Sequence, residues 1–338
     1  MNLVVLEPPT YECTNQISLM NKTKDTPPQD PKLHNSTFKW AFLAPRYWPA
    51  WLMALLVLVL AYVPYRWRDK LGKKLAGVIV NRKSSALKRA KINLEECFPE
   101  KTPEERHQIL LSSLETAAQF CLAYGELMVR SKKYLKSRDK IYGGENLFSL
   151  LENDEKIITL TPHCWTLDYT GPMLASLGYS ITTIMKPQSN EVVDWLLHVQ
   201  RMQYGRGKIY PREAGIKPFL KAVKEGNLGY YLPDEDLGVQ NSVFVPFFAA
   251  EKATMKGLGK LTKLTKAKVV PMLQAYNSES GKYELHIWPA LENFPTGDDT
   301  QDAILMNAAL EKMIDAHPEQ YMWILNLLRS HPDGSQRY

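Results

Sequence analysis

The sequence predicts an α/β domain with a mainly parallel sheet flanked by helices, preceded by one N-terminal transmembrane helix. Beyond residue 140, short β-rich runs alternate with helical ones, which is typical of parallel strands joined by crossover helices. Near residue 50, a long uncharged run has the length of a membrane span. Apolar residues make up 45% of the 338 positions, which is enough to fill a sizeable core.

Residues 1–38 form a polar beginning that contains the proline-rich stretch KDTPPQDPK, Lys24 to Lys32. Nothing in this part alternates or repeats at helical spacing. We therefore expect a flexible extension that the fold does not need.

The uncharged run YWPAWLMALLVLVLAYVPY covers nineteen residues from Tyr47 to Tyr65, between Arg46 and Arg66. As a helix it would be about 28 Å long, close to the ~30 Å hydrocarbon thickness of a bilayer. Tryptophan and tyrosine lie near both ends, where their rings favour the headgroup layer. The run predicts a transmembrane or membrane-anchoring helix over residues 45–66. A buried core helix and a helix lying in the interface are the alternatives.

A basic block follows this run, with ten Lys or Arg and one acid, Asp69, between Arg66 and Lys91. The positive-inside tendency places everything after Arg66 in the cytoplasm. The block suits anionic headgroups and an acidic partner protein, and it is also the ordinary flank of a membrane anchor. We expect residues 67–140 to form a basic, helical, membrane-proximal segment that packs on the core. Nucleic acid is not an expected partner, because aromatic and basic residues are not interleaved to stack bases.

One long amphipathic helix is predicted within that segment, over TPEERHQILLSSLETAAQFCLAYGELM, Thr102 to Met128. Thr102 is suited to cap the helix and Pro103 to occupy its first position, while Glu105 stands three residues after the cap. We expect this helix to pack rather than to carry chemistry.

Residues 141–338 are the predicted α/β catalytic domain. Strands are expected at Lys156, Tyr179, Gly207, Leu228, Ala267 and Tyr283, and helices near Ser189, Gly215, Lys252, Gln301 and Glu319. In such sheets, ligands collect at the carboxyl ends of the strands. The four cysteines lie far apart and form no CxxC pair, so neither a zinc site nor a disulfide framework is indicated.

The segment IITLTPHCWTLD places His163 and Asp168 at the end of a predicted strand. On one continuous helix, these side chains would point about 140° apart. They can meet if His163 precedes a helix and Asp168 lies in its first turn. The carboxylate would then fix the tautomer of a histidine that acts as a general base. A pair of this spacing also arises by chance in a chain with seven histidines, so it is a weak motif alone.

This H-x4-D pair resembles the first signature block of the glycerolipid and lysophospholipid acyltransferase superfamily. Three later segments are similar to its other blocks: GKIYPREAGIKPFLKAVKEG with Arg212, LGYYLPDEDLG, and VVPM. In the third block, Asp234 and Asp236 stand where the superfamily has glutamate and glycine. This Pro-Asp-x-Asp form, with FVPFFAAEKAT and PEQYMWILNLLR after it, resembles the late acyltransferases of lipid A assembly, most of all the LpxM-like branch. The resemblance runs from about residue 40 to the last residue.

The resemblance implies an enzyme that moves a saturated acyl chain, lauroyl or myristoyl, from acyl carrier protein to a hydroxyl of an acyl chain on a lipid A precursor. His163 would be the general base and Asp168 its orienting partner, while a backbone N–H after His163 would stabilise the oxyanion. Because the hydroxyl attacks the thioester directly, Cys164 is expected only to pack. No cofactor or metal is implied beyond the carrier-linked co-substrate. The catalytic domain would face the cytoplasm from the inner membrane, held by a single anchor.

Arg212, Asp234 and Asp236 are the further candidate site residues. Arg212 could bind a substrate phosphate with two hydrogen bonds, or it could pair with either aspartate and hold two strand ends together. The aspartates could orient Arg212 or accept from a substrate hydroxyl. Phosphate is an improbable ligand for them because like charges repel.

Two other functions stay open from the sequence. A phospholipid acyltransferase with a glycerol-phosphate or lysophospholipid acceptor would use the same H-x4-D chemistry. A non-catalytic membrane-anchored lipid-binding protein would keep the anchor and the basic block. It would have no reason to place the candidate site residues at several strand ends.

Overall fold

The computed structural model of the protein describes residue 30 and residues 32–338. Most of the expected flexible extension, residues 1–38, lies outside the described residues. Its last part contacts the folded chain, because the His34 amide donates to the Ile209 carbonyl at 2.8 Å. The His34 ring lies 2.9 Å from the carboxylate of Asp194. The folded unit therefore begins before His34.

The predicted membrane helix is two shorter helices in the structure. Helix α1 covers Trp48–Leu60 and α2 covers Tyr65–Ile79, with a turn at residues 61–63 and Pro64 between them. The thirteen residues of α1 measure about 20 Å, against the ~30 Å of a bilayer core. Across the described residues, no helix has both the length and the apolar composition needed to span a membrane. The expectation of one continuous helix over residues 45–66 is wrong because Pro64, which has no backbone N–H, separates the two.

Three further helices follow: α3 (Ser85–Cys97), α4 (Pro103–Val129) and α5 (Lys132–Arg138). The predicted start of α4 is confirmed. The Thr102 hydroxyl accepts from the Glu105 amide at 3.2 Å, and the Glu105 carboxylate accepts from the Thr102 amide at 2.7 Å. This capping box satisfies two amides that the helix itself cannot.

Two glycines let α1, α2 and α4 pack at close range. A Cβ on Gly125 of α4 would lie 2.1 Å from the Val57 carbonyl oxygen of α1. A Cβ on Gly72 of α2 would lie 2.8 Å from the Gln119 side chain of α4. A larger residue at Gly125 would meet backbone that cannot rotate away, so α1 would have to move.

A buried group of charged side chains ties α2 to α4 and α5. The Glu126 carboxylate accepts from Arg68 at 2.8 Å and from Arg138 at 3.0 Å, and all three side chains are buried. Beside them, Asp69 accepts from the Tyr276 hydroxyl at 2.8 Å. Burial raises the pKa of Asp69 to about 6 against the opposing hydrogen bond. Part of the basic block, Arg68, is therefore internal structure rather than surface charge.

The main sheet contains β1 (Asp139–Tyr142), β2 (Ile157–Leu160), β3 (Ile181–Met185), β4 (Gly207–Pro211), β5 (Leu228–Tyr231), β8 (Lys268–Asn277) and β9 (Lys282–Ile287). Their order is β1-β9-β8-β2-β5-β3-β4. The β8–β9 pair is antiparallel and the other neighbouring pairs are parallel, which confirms the predicted mainly parallel α/β sheet. Along β2, Ile157 belongs to one buried apolar cluster, and Ile158 and Leu160 to another, as alternation across a sheet requires.

A separate hairpin pairs β6 (Ser242–Phe247) with β7 (Ala250–Met255). The helix expected near Lys252 is wrong, because this residue is in β7. At the start of β7, buried and exposed side chains alternate, with Glu251 exposed and Lys252 buried.

Helices flank the sheet: α6 (Glu145–Glu152), α7 (Leu167–Ser176), α8 (Glu191–Arg201), α9 (Lys217–Lys224), α10 (Leu258–Thr265) and α11 (Asp299–Ala316). The helices expected near Ser189, Gly215 and Gln301 are confirmed as α8, α9 and α11. The helix expected near Glu319 is wrong, because the backbone there bonds to the loop after β2. The Gln320 carbonyl accepts from the Trp165 amide at 3.0 Å, and the Met322 amide donates to the His163 carbonyl at 2.9 Å.

Candidate active site

The candidate site lies where the parallel strands β2, β5 and β4 end. In β2 and β5, Leu160 stands opposite Tyr231, so His163 and Asp234 each follow a paired position by three residues. The Thr161 amide extends this pairing by donating to the Tyr231 carbonyl at 3.0 Å. The register of the sheet therefore brings together two side chains that are 71 positions apart.

His163 and Asp234 are joined by two hydrogen bonds. The His163 amide donates to Asp234 Oδ2 at 2.8 Å, and the ring Nδ1 lies 2.5 Å from Oδ1. The Asp234 side chain is fully buried, whereas 21% of the His163 side chain is exposed. Because Nδ1–H donates to the carboxylate, the lone pair is on Nε2. Asp234 thus occupies the orienting position that was expected for Asp168.

The ionisation of each partner follows from burial and from the other's charge. Burial lowers the pKa of His163, but the charge and hydrogen bond of Asp234 outweigh it and raise the pKa above its ordinary value. Burial opposes ionisation of Asp234, yet His163 and the cation of Lys252 hold the pKa of this carboxyl below its usual range. The arrangement therefore favours an imidazolium–carboxylate pair once Nε2 takes up a proton.

Asp168 lies in the first turn of α7, as predicted, but its carboxylate binds Arg201 of α8. The Nε and Nη2 atoms of Arg201 both lie 2.7 Å from Asp168 Oδ1. The Tyr124 hydroxyl adds a longer contact to Oδ2 at 3.4 Å. The expected His163–Asp168 hydrogen bond is therefore corrected: α7 carries Asp168 towards α8, and the ring of His163 faces β5.

Asp236 anchors the chain after α11. Its carboxylate accepts from the Ser330 amide at 2.6 Å, from the Ser330 hydroxyl at 3.1 Å and from the Gly238 amide at 2.8 Å. Its own amide donates to the Asn326 carbonyl at 2.7 Å. Asp236 is 1% exposed, so these contacts hold the loop that carries Asp234.

Arg212 directly follows β4, as predicted, and pairs with Glu235 rather than with either aspartate. The distance between Arg212 Nη2 and Glu235 Oε2 is 2.8 Å. Nearly half of the Arg212 side chain, 46%, is exposed. The guanidinium of Arg212 is therefore accessible to a ligand.

A cavity of about 580 Å³ opens beside His163. Its apolar lining residues are Leu167, Gly171, Pro172, Ala175, Ile181, Ile184, Ile209, Leu232 and Leu237. Its charged lining residues include the basic Lys186, Arg201, Arg212 and Arg329 and the acidic Asp168, Glu235 and Asp236. Within the described residues, no group of three or more His, Cys, Asp or Glu side chains is arranged to hold a metal ion.

Residues 35–330 match the model of the family described as "Bacterial lipid A biosynthesis acyltransferase". The chain belongs to this family. A lipid A biosynthesis acyltransferase of Haemophilus influenzae is 42% identical to it over 305 residues, which cover 90% of this chain and 95% of the relative.

Two Escherichia coli relatives are similar over nearly the same length. The lipid A biosynthesis myristoyltransferase is 35% identical over 297 residues, 88% of this chain and 92% of the relative. The lipid A biosynthesis lauroyltransferase is 29% identical over 301 residues, 88% and 96% of the two chains. The protein is accordingly an acyltransferase enzyme of lipid A biosynthesis.

The loop that follows His163 limits which groups of the lipid A acyltransferase can react. Cys164 is fully buried, and burial raises the pKa of its thiol well above the ordinary value, so a thiolate nucleophile is disfavoured. The Leu167 amide donates to the Cys164 carbonyl at 3.1 Å, and the Trp165 amide is bonded to the Gln320 carbonyl. These two amides are therefore not the oxyanion donors that were expected at this helix start.

Several site residues of the lipid A acyltransferase carried no signal in the sequence. Arg201 stands at the last turn of an amphipathic helix, where a basic residue usually faces solvent and the helix dipole. Lys186 follows the apolar strand β3 without a motif, and Arg329 ends the segment PEQYMWILNLLR, in which nothing marks it as a site residue. Only the order of the strands, which places β2 beside β5 and β5 beside β3, shows that these side chains share one cavity.

Proposed function

We propose that this acyltransferase moves a saturated acyl chain, lauroyl or myristoyl, from acyl carrier protein to a hydroxyl of an acyl chain on a lipid A precursor. The observation that carries the proposal is the His163–Asp234 pair, whose histidine lines a cavity that has both apolar and basic lining residues. The apolar residues suit an acyl chain, and the basic residues suit phosphate groups. The names of the similar proteins, among them a myristoyltransferase and a lauroyltransferase, favour this substrate class.

The reaction needs a base because the attacking hydroxyl is un-ionised at neutral pH. His163 Nε2 removes the hydroxyl proton as the oxygen attacks the thioester carbonyl, and a tetrahedral oxyanion forms. Asp234, bonded to Nδ1, stabilises the imidazolium. When the intermediate collapses, the carbon–sulfur bond breaks and the leaving thiolate takes the proton back from His163. The products are an ester and the free thiol of the carrier, with no acyl-enzyme and no cofactor.

Asp168 acts through Arg201 in this proposal. The two bonds of 2.7 Å hold the guanidinium at the cavity wall, where its remaining N–H groups can meet the oxyanion or a phosphate. Arg212, held by Glu235, supplies a second cation to the lining of this cavity. Asp168 is thus a positioning residue for Arg201 rather than the partner of the base.

We also propose that the enzyme works on the cytoplasmic leaflet of the inner membrane, held there by α1 and α2. Both helices expose large apolar side chains: Trp48 58%, Leu52 68%, Leu55 60%, Val59 59%, Trp67 71% and Val78 56%. Lysines at positions 70, 73 and 74 of α2 are exposed beside them. Apolar and basic side chains on a short surface helix favour an anionic bilayer surface.

The test uses purified protein with a penta-acylated lipid A precursor and lauroyl- or myristoyl-carrier protein, with product masses read by mass spectrometry. We expect a gain of one acyl chain, reduced at least ~10²-fold in His163→Ala because the general base is lost. His107→Ala, a change at an exposed histidine of α4, is the matched control and should leave the rate unchanged.

Two further incubations decide between substrates. Glycerol phosphate or a lysophospholipid replaces the acceptor in one, and an acyl-coenzyme A replaces the donor in the other. No mass gain with any saturated carrier-linked chain would overturn the lipid A proposal, and acylation of the glycerol acceptors would establish a phospholipid acyltransferase instead.

A further inference from the structure

Lys252 of β7 is a buried cation that the proposed reaction does not use. The residue is 0% exposed, and its Nζ has no hydrogen-bond partner among the described residues. The ammonium lies 5.5 Å from the centre of the Phe247 ring. An unpaired buried charge is costly unless opposite charges lie near enough to offset the cost.

The neighbouring charges are two buried aspartates on one loop. Asp234 and Asp236, both at most 1% exposed, act electrostatically on Lys252 from the loop after β5. Cys97 at the end of α3 also acts electrostatically on Lys252, and Glu311 of α11 acts on Cys97. Burial lowers the pKa of Lys252 to about 8, so the ammonium remains charged at pH 7.

Several charged groups around His163 influence its protonation. His163 is influenced by Asp234 and Glu235, which favour its protonated form, and by Arg212, which disfavours it. The buried hydroxyl of Tyr321 faces Asp234 from the segment after α11. Without the cation of Lys252, less positive charge would oppose these carboxylates, and they would favour the protonated imidazole more strongly.

We propose that Lys252 is a positioning residue of the acyl-transfer site, whose buried ammonium opposes the charges of Asp234 and Asp236 and so limits how far they favour the protonated form of the His163 imidazole. This inference rests on the proposed role of His163 as the base. Lys252 touches no reacting atom and acts only through Asp234.

The test is the pH dependence of kcat/KM in Lys252→Met, which removes the charge and retains an unbranched side chain. Loss of the cation strengthens the field of the aspartates at His163, so the acid limb of the profile should move to higher pH by about 1 unit. Lys252→Arg restores the charge and should return the limb towards the wild-type position. Lys256→Met, an exposed change one residue after the same strand, is the matched control and should not move it.

A second readout separates this inference from the proposed reaction. The titration of His163, followed by NMR of protein with labelled histidine and assigned with His163→Ala, needs no substrate. The midpoint should move upward in Lys252→Met, and thermal unfolding should show that the variant is folded. A midpoint and an acid limb that stay in place, or that move to lower pH, would overturn the role of Lys252. Absence of acyl transfer in the wild type would overturn only the proposed reaction.

Discussion

At the scale of single residues, the His163 ring is oriented by a carboxylate that follows another strand, β5. Sequence spacing drew attention to Asp168 because it is five positions from His163, and spacing carries no information about which strands are neighbours. The β2–β5 register decides the partner, since Leu160 opposite Tyr231 places His163 beside Asp234. The candidate residues themselves could be predicted from motifs, whereas their pairing required the strand order.

The pairing leads to a prediction for the two aspartates. Asp234→Asn should lower kcat/KM at least ~10²-fold, because an amide neither stabilises the imidazolium nor enforces the Nδ1–H tautomer. Asp168→Asn should weaken the hold on Arg201 and act mainly through KM. Steady-state kinetics of both variants in the acyl-transfer assay measure the difference. A large loss of kcat in Asp168→Asn with a nearly normal Asp234→Asn would restore Asp168 as the partner of the base.

The same contact sets the sign of a pH effect. Because Asp234 raises the pKa of His163, the neutral base disappears as pH falls, and kcat/KM should decline with an inflection above about 6.5. In Asp234→Asn the anion is gone while burial remains, so the inflection should move to lower pH. An inflection that is unchanged in this variant would show that another group is being titrated.

At the scale of elements, the predictable parts are the ones with a regular apolar pattern. Six strands could be predicted because their residues form short apolar runs, and α4 because its apolar residues recur at helical spacing. Gly, Pro and polar residues bound these segments. The β6–β7 hairpin was missed since FVPFFAAEKAT mixes aromatic, small and charged residues, and its pairing is with itself rather than with the main sheet. The segment near Glu319 is apolar but uses its backbone groups to bond the loop after β2, which no local pattern reveals.

One helix, α7, provides a prediction about the acyl chain. Gly171 lines the cavity, and a Cβ built on it would meet nothing within 4 Å. A larger side chain at this position would therefore begin in open space, and we expect it to reduce the volume of the cavity. In a series from Gly171→Ala to Leu and Met, we expect the preferred donor chain to become progressively shorter.

Competition between carrier-linked chains of different length, with products separated by mass, measures this preference. Gly77→Met is the control, because Gly77 of α2 also has open space around its Cβ but does not line the cavity. Unchanged chain preference across the Gly171 series would show that the acyl chain occupies another surface.

At the scale of the whole molecule, many of the exposed large apolar side chains lie between Phe38 and Ile79. By composition alone α1 would be expected in a core, yet Ala54 is its one buried residue and α4 covers only one side of it. The sequence predicted one continuous helix over residues 45–66, and the structure has two helices there, separated by the turn before Pro64.

This surface predicts the binding of lipid vesicles. Replacing Leu52 and Trp67 together by serine removes two exposed apolar side chains, which corresponds to about 3 kcal/mol, or roughly 10²-fold in partitioning, if both are inserted. Co-sedimentation with anionic phospholipid vesicles measures it. Leu264→Ser on α10, at 48% exposure, is the matched control. Equal sedimentation of all three proteins would contradict attachment through α1 and α2.

The contacts of residues 320–330 have a consequence for the order in which the enzyme matures. The ribosome delivers this segment after every strand of the sheet, so a nascent chain can hold a complete sheet while the His163 carbonyl lacks Met322 and the Asp236 carboxylate lacks Ser330. The bonds of this segment to the loops that carry His163 and Asp234 can therefore form only late in biosynthesis.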